Sequence, residues 1–82
     1  MLPAGMQRMR YELTDLRVFL AIAQAKSLSA GAAEMHLTAP SASYRLKNLE
    51  QAMGASLFER TSKGMVLTPA GMTVKKLSLI HI

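Results

Sequence analysis

From Thr38 onward, side chains that donate and accept hydrogen bonds recur at helical spacing: Ser41, Tyr44, Arg45, Lys47 and Asn48. Hydroxyls and an amide match base edges or phosphate oxygens, and the cations match phosphates or guanine. Such a face suits the major groove of a duplex. It is equally the composition of an ordinary solvated helix face, and this helix alone leaves the two readings level. Other chemistry lacks material. The chain has no cysteine, its two histidines (His36 and His81) lie far apart, and its Asp and Glu total only five. A thiolate metal site, a metal cluster and a nucleophile–base pair are all without candidates. The chain is therefore not read as an enzyme, and no cofactor or metal is assigned to it.

The elements that must hold this face follow from caps and spacing. Thr38 is an N-cap, and Pro40 sits in the first helical turn, where a missing N–H costs nothing. The helix is expected over Ala39 to Met53, with Gly54 as its left-handed stop and Ala42, Leu46, Leu49 and Met53 as its inward stripe. Before it, Thr14 is expected to cap a helix running to about Lys26. Asp15 favours the positive end of that helix dipole. Leu16, Phe19, Leu20 and Ala23 form one face, widened by Val18 and Ile22. Ser29 is expected to cap a second helix behind a Leu28 staple, and the small residues Ala30-Gly31-Ala32-Ala33 permit a close helix crossing. Met35 and Leu37 turn inward, with His36 as a turn residue between them. After Gly54, Leu57–Arg60 and Met65–Leu67 flank Thr61–Gly64, a hairpin pattern with a basic tip. Arg60 and Lys63 are placed to touch a backbone or a minor groove, with pairing of Arg60 to Glu59 or Glu50 as the structural alternative. Thr68-Pro69-Ala70-Gly71 opens a last helix.

Length and charge set outer bounds. Eighty-two residues make one small domain, and a net charge of +5 points to an anionic partner. No apolar run approaches the roughly 20 residues of a membrane span, and residues 1–10 lack a signal-peptide core, so a cytoplasmic protein with no membrane partner is expected. Residues 1–12 read as a flexible lead-in in which Arg8 and Arg10 are solvated. Residues 77–82, LSLIHI, close on apolar residues without a cap. They are read as a truncated or non-native tail, because the string resembles the translation of a sequencing adapter, and they carry no functional weight.

Taken together, these motifs resemble the LysR-type transcriptional regulators, over Leu13 to Leu77. The resemblance is carried by Asp15-Leu16-Arg17-Val18-Phe19, by Ser27-Leu28-Ser29 ahead of Ala32-Ala33, and by Leu37-Thr38-Ala39-Pro40-Ser41-Ala42-Ser43. It continues in Leu49-Glu50, Gly54, Leu57-Phe58-Glu59-Arg60 and Leu67-Thr68-Pro69-Ala70-Gly71. It implies a mainly α, winged helix-turn-helix domain over residues 13–68: a three-helix core, a two-stranded β wing, and the start of a linker helix at 69–76. It implies double-stranded DNA as partner, with Thr38, Pro40, Ser41, Ser43, Tyr44, Arg45, Lys47 and Asn48 at the major groove and Arg60, Ser62 and Lys63 on the wing. It also implies a homodimer through the linker helix, and a small-molecule inducer bound only by a C-terminal domain absent from this sequence. Ala39 stands where the family commonly has glutamine, removing an amide from the reading face. Gly31 in place of alanine, and the small Ala42, are expected to loosen the helix packing. The competing function is a winged helix that binds a protein on the same surface and leaves DNA alone.

Overall fold

The first helix, α1 (Leu13–Ala25), begins two residues earlier than Thr14 predicts. Glu12 is its N-cap residue, and its N–H donates to Asp15 Oδ2 at 3.0 Å. The carboxylate at the third helical position thus secures the start, and Thr14 lies inside the helix. Val18, Phe19 and Ile22 are fully buried, while Leu16, Leu20 and Ala23 form the shoulders of the stripe. Lys26 ends the helix in the left-handed conformation (φ 58°), donating to the Ile22 carbonyl at 2.8 Å. The computed structural model describes residues 11–81. The lead-in expected over residues 1–10, Arg8 and Arg10 included, lies outside the described residues.

Helix α2 (Leu28–Glu34) is capped by Ser27, not Ser29: Ser27 Oγ accepts the Ala30 N–H at 3.2 Å. The left-handed stop at Lys26 leaves no room for a longer linker, so the first hydroxyl after it becomes the cap. Gly31 corrects the expectation of looser packing. A β-carbon at Gly31 would stand 2.7 Å from Ile22 Cα and 2.8 Å from Ile22 N, closer than real β-carbons come to backbone. The two helices therefore meet more tightly than alanine allows. His36 makes the turn with φ 57°, and the Leu37 N–H returns to the Ala32 carbonyl at 2.9 Å.

Helix α3 (Ala39–Met53) has the expected bounds, with Thr38 as N-cap and Gly54 at φ 70°. Ala42, Leu46, Leu49 and Ala52 are its buried residues, and Met53 is half-buried at the edge of the same stripe. Strands β1 (Phe58–Thr61) and β2 (Gly64–Leu67) pair antiparallel, Phe58 opposite Leu67 and Thr61 opposite Gly64, around a two-residue turn at Ser62-Lys63. The turn is tighter than the four residues expected, because Thr61 Oγ1 donates to the Gly64 carbonyl and closes it. The Phe58 ring lies 5.3 Å from that of Phe19 and ties the hairpin to α1. Helix α4 (Pro69–His81) is anchored through Thr68. Thr68 Oγ1 donates to the Ser56 carbonyl at 2.7 Å and accepts from Gly71 N–H at 3.0 Å, and Thr68 N–H reaches the Leu57 carbonyl at 3.1 Å. Val74 completes the core from this helix.

Gly31→Ala is expected to lower the unfolding free energy by about 1–3 kcal/mol, the usual cost of overpacking a tight contact. Urea unfolding followed by circular dichroism measures it; a neutral or stabilising result would mean that α1 and α2 separate without penalty.

Candidate nucleic-acid interface

The turn between α2 and α3 determines which way the third helix faces. Thr38 Oγ1 accepts the Ser41 N–H at 3.2 Å, so its hydroxyl is engaged as a cap while the residue itself stays exposed. Pro40, Ser41 and Tyr44 follow on the outer surface, and Tyr44 is 73% exposed, an unusual position for so large a ring. These residues form a ridge with two flanks.

On the flank nearer α1 lie Arg45 and Asn48, neither of them free. Arg45 Nη1 donates to Asp15 Oδ1 at 3.0 Å, and Asn48 Nδ2 donates to Asp15 Oδ2 at 3.0 Å. Asp15 is 1% exposed. A buried carboxylate is strongly destabilising unless charge and hydrogen bonds compensate it. Here it accepts a backbone N–H from its own helix and two side chains from α3. Glu12 Oε2 adds a longer contact to Arg45 Nη1, at 3.9 Å from an exposed carboxylate. The cation at position 45 is thus neutralised where it stands.

The flank nearer the hairpin is different. Ser43 is half-buried and Lys47 exposed, and they share a groove with Ser56 and Arg60. Arg60 forms no ion pair with Glu59 or Glu50. Glu50 instead accepts the Leu57 N–H at 2.8 Å and so fixes the loop leading into β1. Ser62 and Lys63 form the exposed hairpin tip, where the Lys63 N–H is held by Thr61 Oγ1 at 3.1 Å and the side chain is left to solvent. Among the described residues, the ion pairs are those of Arg45 with Asp15 and Glu12, so Lys47, Arg60 and Lys63 keep their charge uncompensated.

Of the residues singled out from the sequence, the structure brings Thr38, Pro40, Ser41, Tyr44, Arg45 and Asn48 to one side of α3. It brings Ser43, Lys47 and Arg60 to the other, and sets Ser62 and Lys63 apart at the hairpin tip. Sequence reasoning missed Asp15 as part of this surface. Its position after Glu12 marks a helix start, but nothing local indicates that two residues some thirty positions later will bury it. Among the described residues no group of His, Cys, Asp and Glu is arranged to hold a metal ion, and no helix is long and apolar enough to cross a membrane.

Known proteins share this fold. The sequence profile of bacterial regulatory helix-turn-helix proteins of the lysR family matches residues 13–72. A RuBisCO operon transcriptional regulator of Allochromatium vinosum is 46% identical over 66 residues, which are 80% of this chain and 22% of that protein. The crystal structure of Vibrio fischeri DarR in complex with DNA superposes with a TM-score of 0.83 at 33% identity, covering 88% of this chain and 25% of that one. The CbnR_DBD–DNA complex gives a TM-score of 0.79 at 30% identity, over 85% of this chain and 80% of its counterpart. The chain spans about a fifth of the length of the curated relatives it matches.

Removing the partner of a buried charge destabilises far more than trimming an exposed ring. Arg45→Ala is therefore expected to lower the unfolding free energy by about 2 kcal/mol, the guanidinium being partly solvated, and Tyr44→Ala to change it by less than about 0.5 kcal/mol. Parallel denaturant titrations compare them; equal, small effects would mean that the Asp15 pair does not hold α1 to α3.

Proposed function

Since the chain belongs to the lysR family of bacterial regulatory helix-turn-helix proteins, we propose that it is the DNA-reading module of a transcriptional regulator. The solved relatives bound to DNA carry this reading, because the likeness to them extends over most of the chain. Helix α3 enters the major groove by the ridge of Thr38, Pro40, Ser41 and Tyr44, with Ser43, Arg45, Lys47 and Asn48 beside it. Arg60, Ser62 and Lys63 on the hairpin meet the sugar–phosphate backbone or the minor groove. The division follows the charges. The unpaired cations lie on the wing side, where phosphates are met, and the neutral hydrogen-bonding groups lie on the ridge, where base edges are met. A winged helix that binds only protein is not favoured, since relatives of this fold are solved on DNA.

The remainder of the regulator follows as a proposal. The exposed apolar Met72 of α4 suits pairing of two copies, and a dimer of such modules suits a partly symmetric site. An inducer, if the regulator uses one, binds outside this domain. The relatives are transcriptional regulators, and the reading here has no catalytic step. A protein that reads the bacterial chromosome works in the cytoplasm.

Binding by unpaired cations is a counterion-release process, with log K falling against log salt by about 0.9 per phosphate neutralised. The double substitution Arg60→Ala with Lys63→Ala is expected to make that slope shallower by roughly two units on any duplex sequence. Fluorescence anisotropy over a salt series with the wild type and the double variant supplies the slopes. An unchanged slope would remove the hairpin from the interface, and absence of binding by the wild type at low salt would sink the function.

A further inference from the structure

We propose that Asp15, a residue of α1, is a positioning residue for sequence reading: it fixes Arg45 and Asn48 of α3 to address base edges instead of phosphates. This rests on the DNA-reading function above and names which of its side chains carry specificity.

The geometry of Asp15 exceeds what a helix cap requires. One backbone N–H, that of Glu12, would be met as well by an exposed Ser or Asp. Asp15 is instead 1% exposed, and its two oxygens are shared among Glu12 N–H, Arg45 Nη1 and Asn48 Nδ2, each at 3.0 Å. An ionised carboxylate accepts only, so it determines the orientation of the Asn48 amide. The NH₂ faces Asp15, and the carbonyl oxygen is turned away as an acceptor. In the major groove an acceptor matches the amino groups of adenine and cytosine.

Arg45 is constrained in a different way. Its charge is compensated by Asp15 at 3.0 Å and by Glu12 at 3.9 Å, so it has little to gain from a phosphate. Its guanidinium is pinned through Nη1 alone and keeps further N–H donors in a fixed plane. A planar fork held in advance suits the O6 and N7 acceptors of guanine, and holding it in advance removes the rotamer entropy that a free arginine loses on binding. Both side chains line the cleft beside Pro40, Ser41 and Tyr44, next to the ridge that meets the groove. Lys47, Arg60 and Lys63, unpaired and exposed, are the phosphate ligands by contrast.

The test uses the whole 82-residue chain. Wild type, Asp15→Asn and Arg45→Lys are each put through selection from a random duplex library. Affinities for the wild type's enriched duplex and for a mixed-sequence duplex are then measured across a salt series. For Asp15→Asn the ratio of the two affinities is expected to fall about tenfold, one good base contact's worth of discrimination. Its slope on the mixed-sequence duplex should steepen by about 0.9, because the released Arg45 is free to neutralise a phosphate. Arg45→Lys keeps the charge and the pair with Asp15 but loses the fork, so its enriched sequence should lose the preference for guanine at one position. A brace with a purely structural role would lower the melting temperature and both affinities together, leaving ratio and slope unmoved. If Asp15→Asn does not fold, Arg45→Lys decides. Variants that enrich the wild-type sequence at wild-type discrimination overturn the inference. A wild type that enriches no sequence overturns the DNA-reading function itself, and this inference with it.

Discussion

Helix α1 is held at three places along its length, and the arrangement of α2, α3 and the hairpin depends on those contacts. In its last turn, Gly31 of α2 lies against the backbone of Ile22, closer than any β-carbon permits. At its end, the left-handed Lys26 offers a carbonyl that accepts the Met65 N–H at 3.0 Å, and Gly64 passes so near that carbonyl that a side chain there would strike it. At its start, Asp15 binds two side chains of α3. Each contact fixes a different partner: α2 by steric fit, the hairpin by a backbone hydrogen bond, and α3 by a buried charge. The ridge of α3 and the tip of the hairpin have a defined separation only because both are referred to the same helix.

The three attachments differ in what they tolerate. The glycine contacts are matters of excluded volume, and a single methyl group is felt at once. The charged contact is conditional: it stabilises only while both partners are present, and removal of either leaves a buried group unsatisfied. The surface proposed to meet DNA is therefore built on close packing at the hairpin side and on a hydrogen-bonded network at the α1 side. Phosphate contacts need only a roughly placed cation, whereas base contacts need an oriented one. The distribution of rigidity and charge across the two flanks of α3 matches that difference.

Much of this was readable in the sequence, and the readable part was local. Thr38, Pro40 and Gly54 gave the bounds of α3 because caps act within one turn, and the hairpin and the Thr68-Pro69 start of the last helix followed for the same reason. The errors were also local competitions. Ser27 won over Ser29 as a cap, and Asp15 carried the helix start past Thr14, in each case because two suitable side chains stood within a turn of each other. What stayed hidden was pairing across long separations. Gly31 reads as a propensity defect until Ile22 is seen beneath it, and Asp15 reads as a dipole charge until Arg45 and Asn48 are seen above it. Residue type and spacing do not reveal a tertiary partner.

The same point bears on Ala39. Set against the glutamine common there in the family, it marks a missing amide and puts specificity at that position in doubt. On the proposed function the amide and the guanidinium that face the groove come from further along the helix, at Asn48 and Arg45, where a carboxylate from another helix holds them. These two are oriented by a buried acceptor to which both donate. Specificity in so small a domain then depends less on how many polar groups the recognition helix displays than on how many of them are held in place from behind.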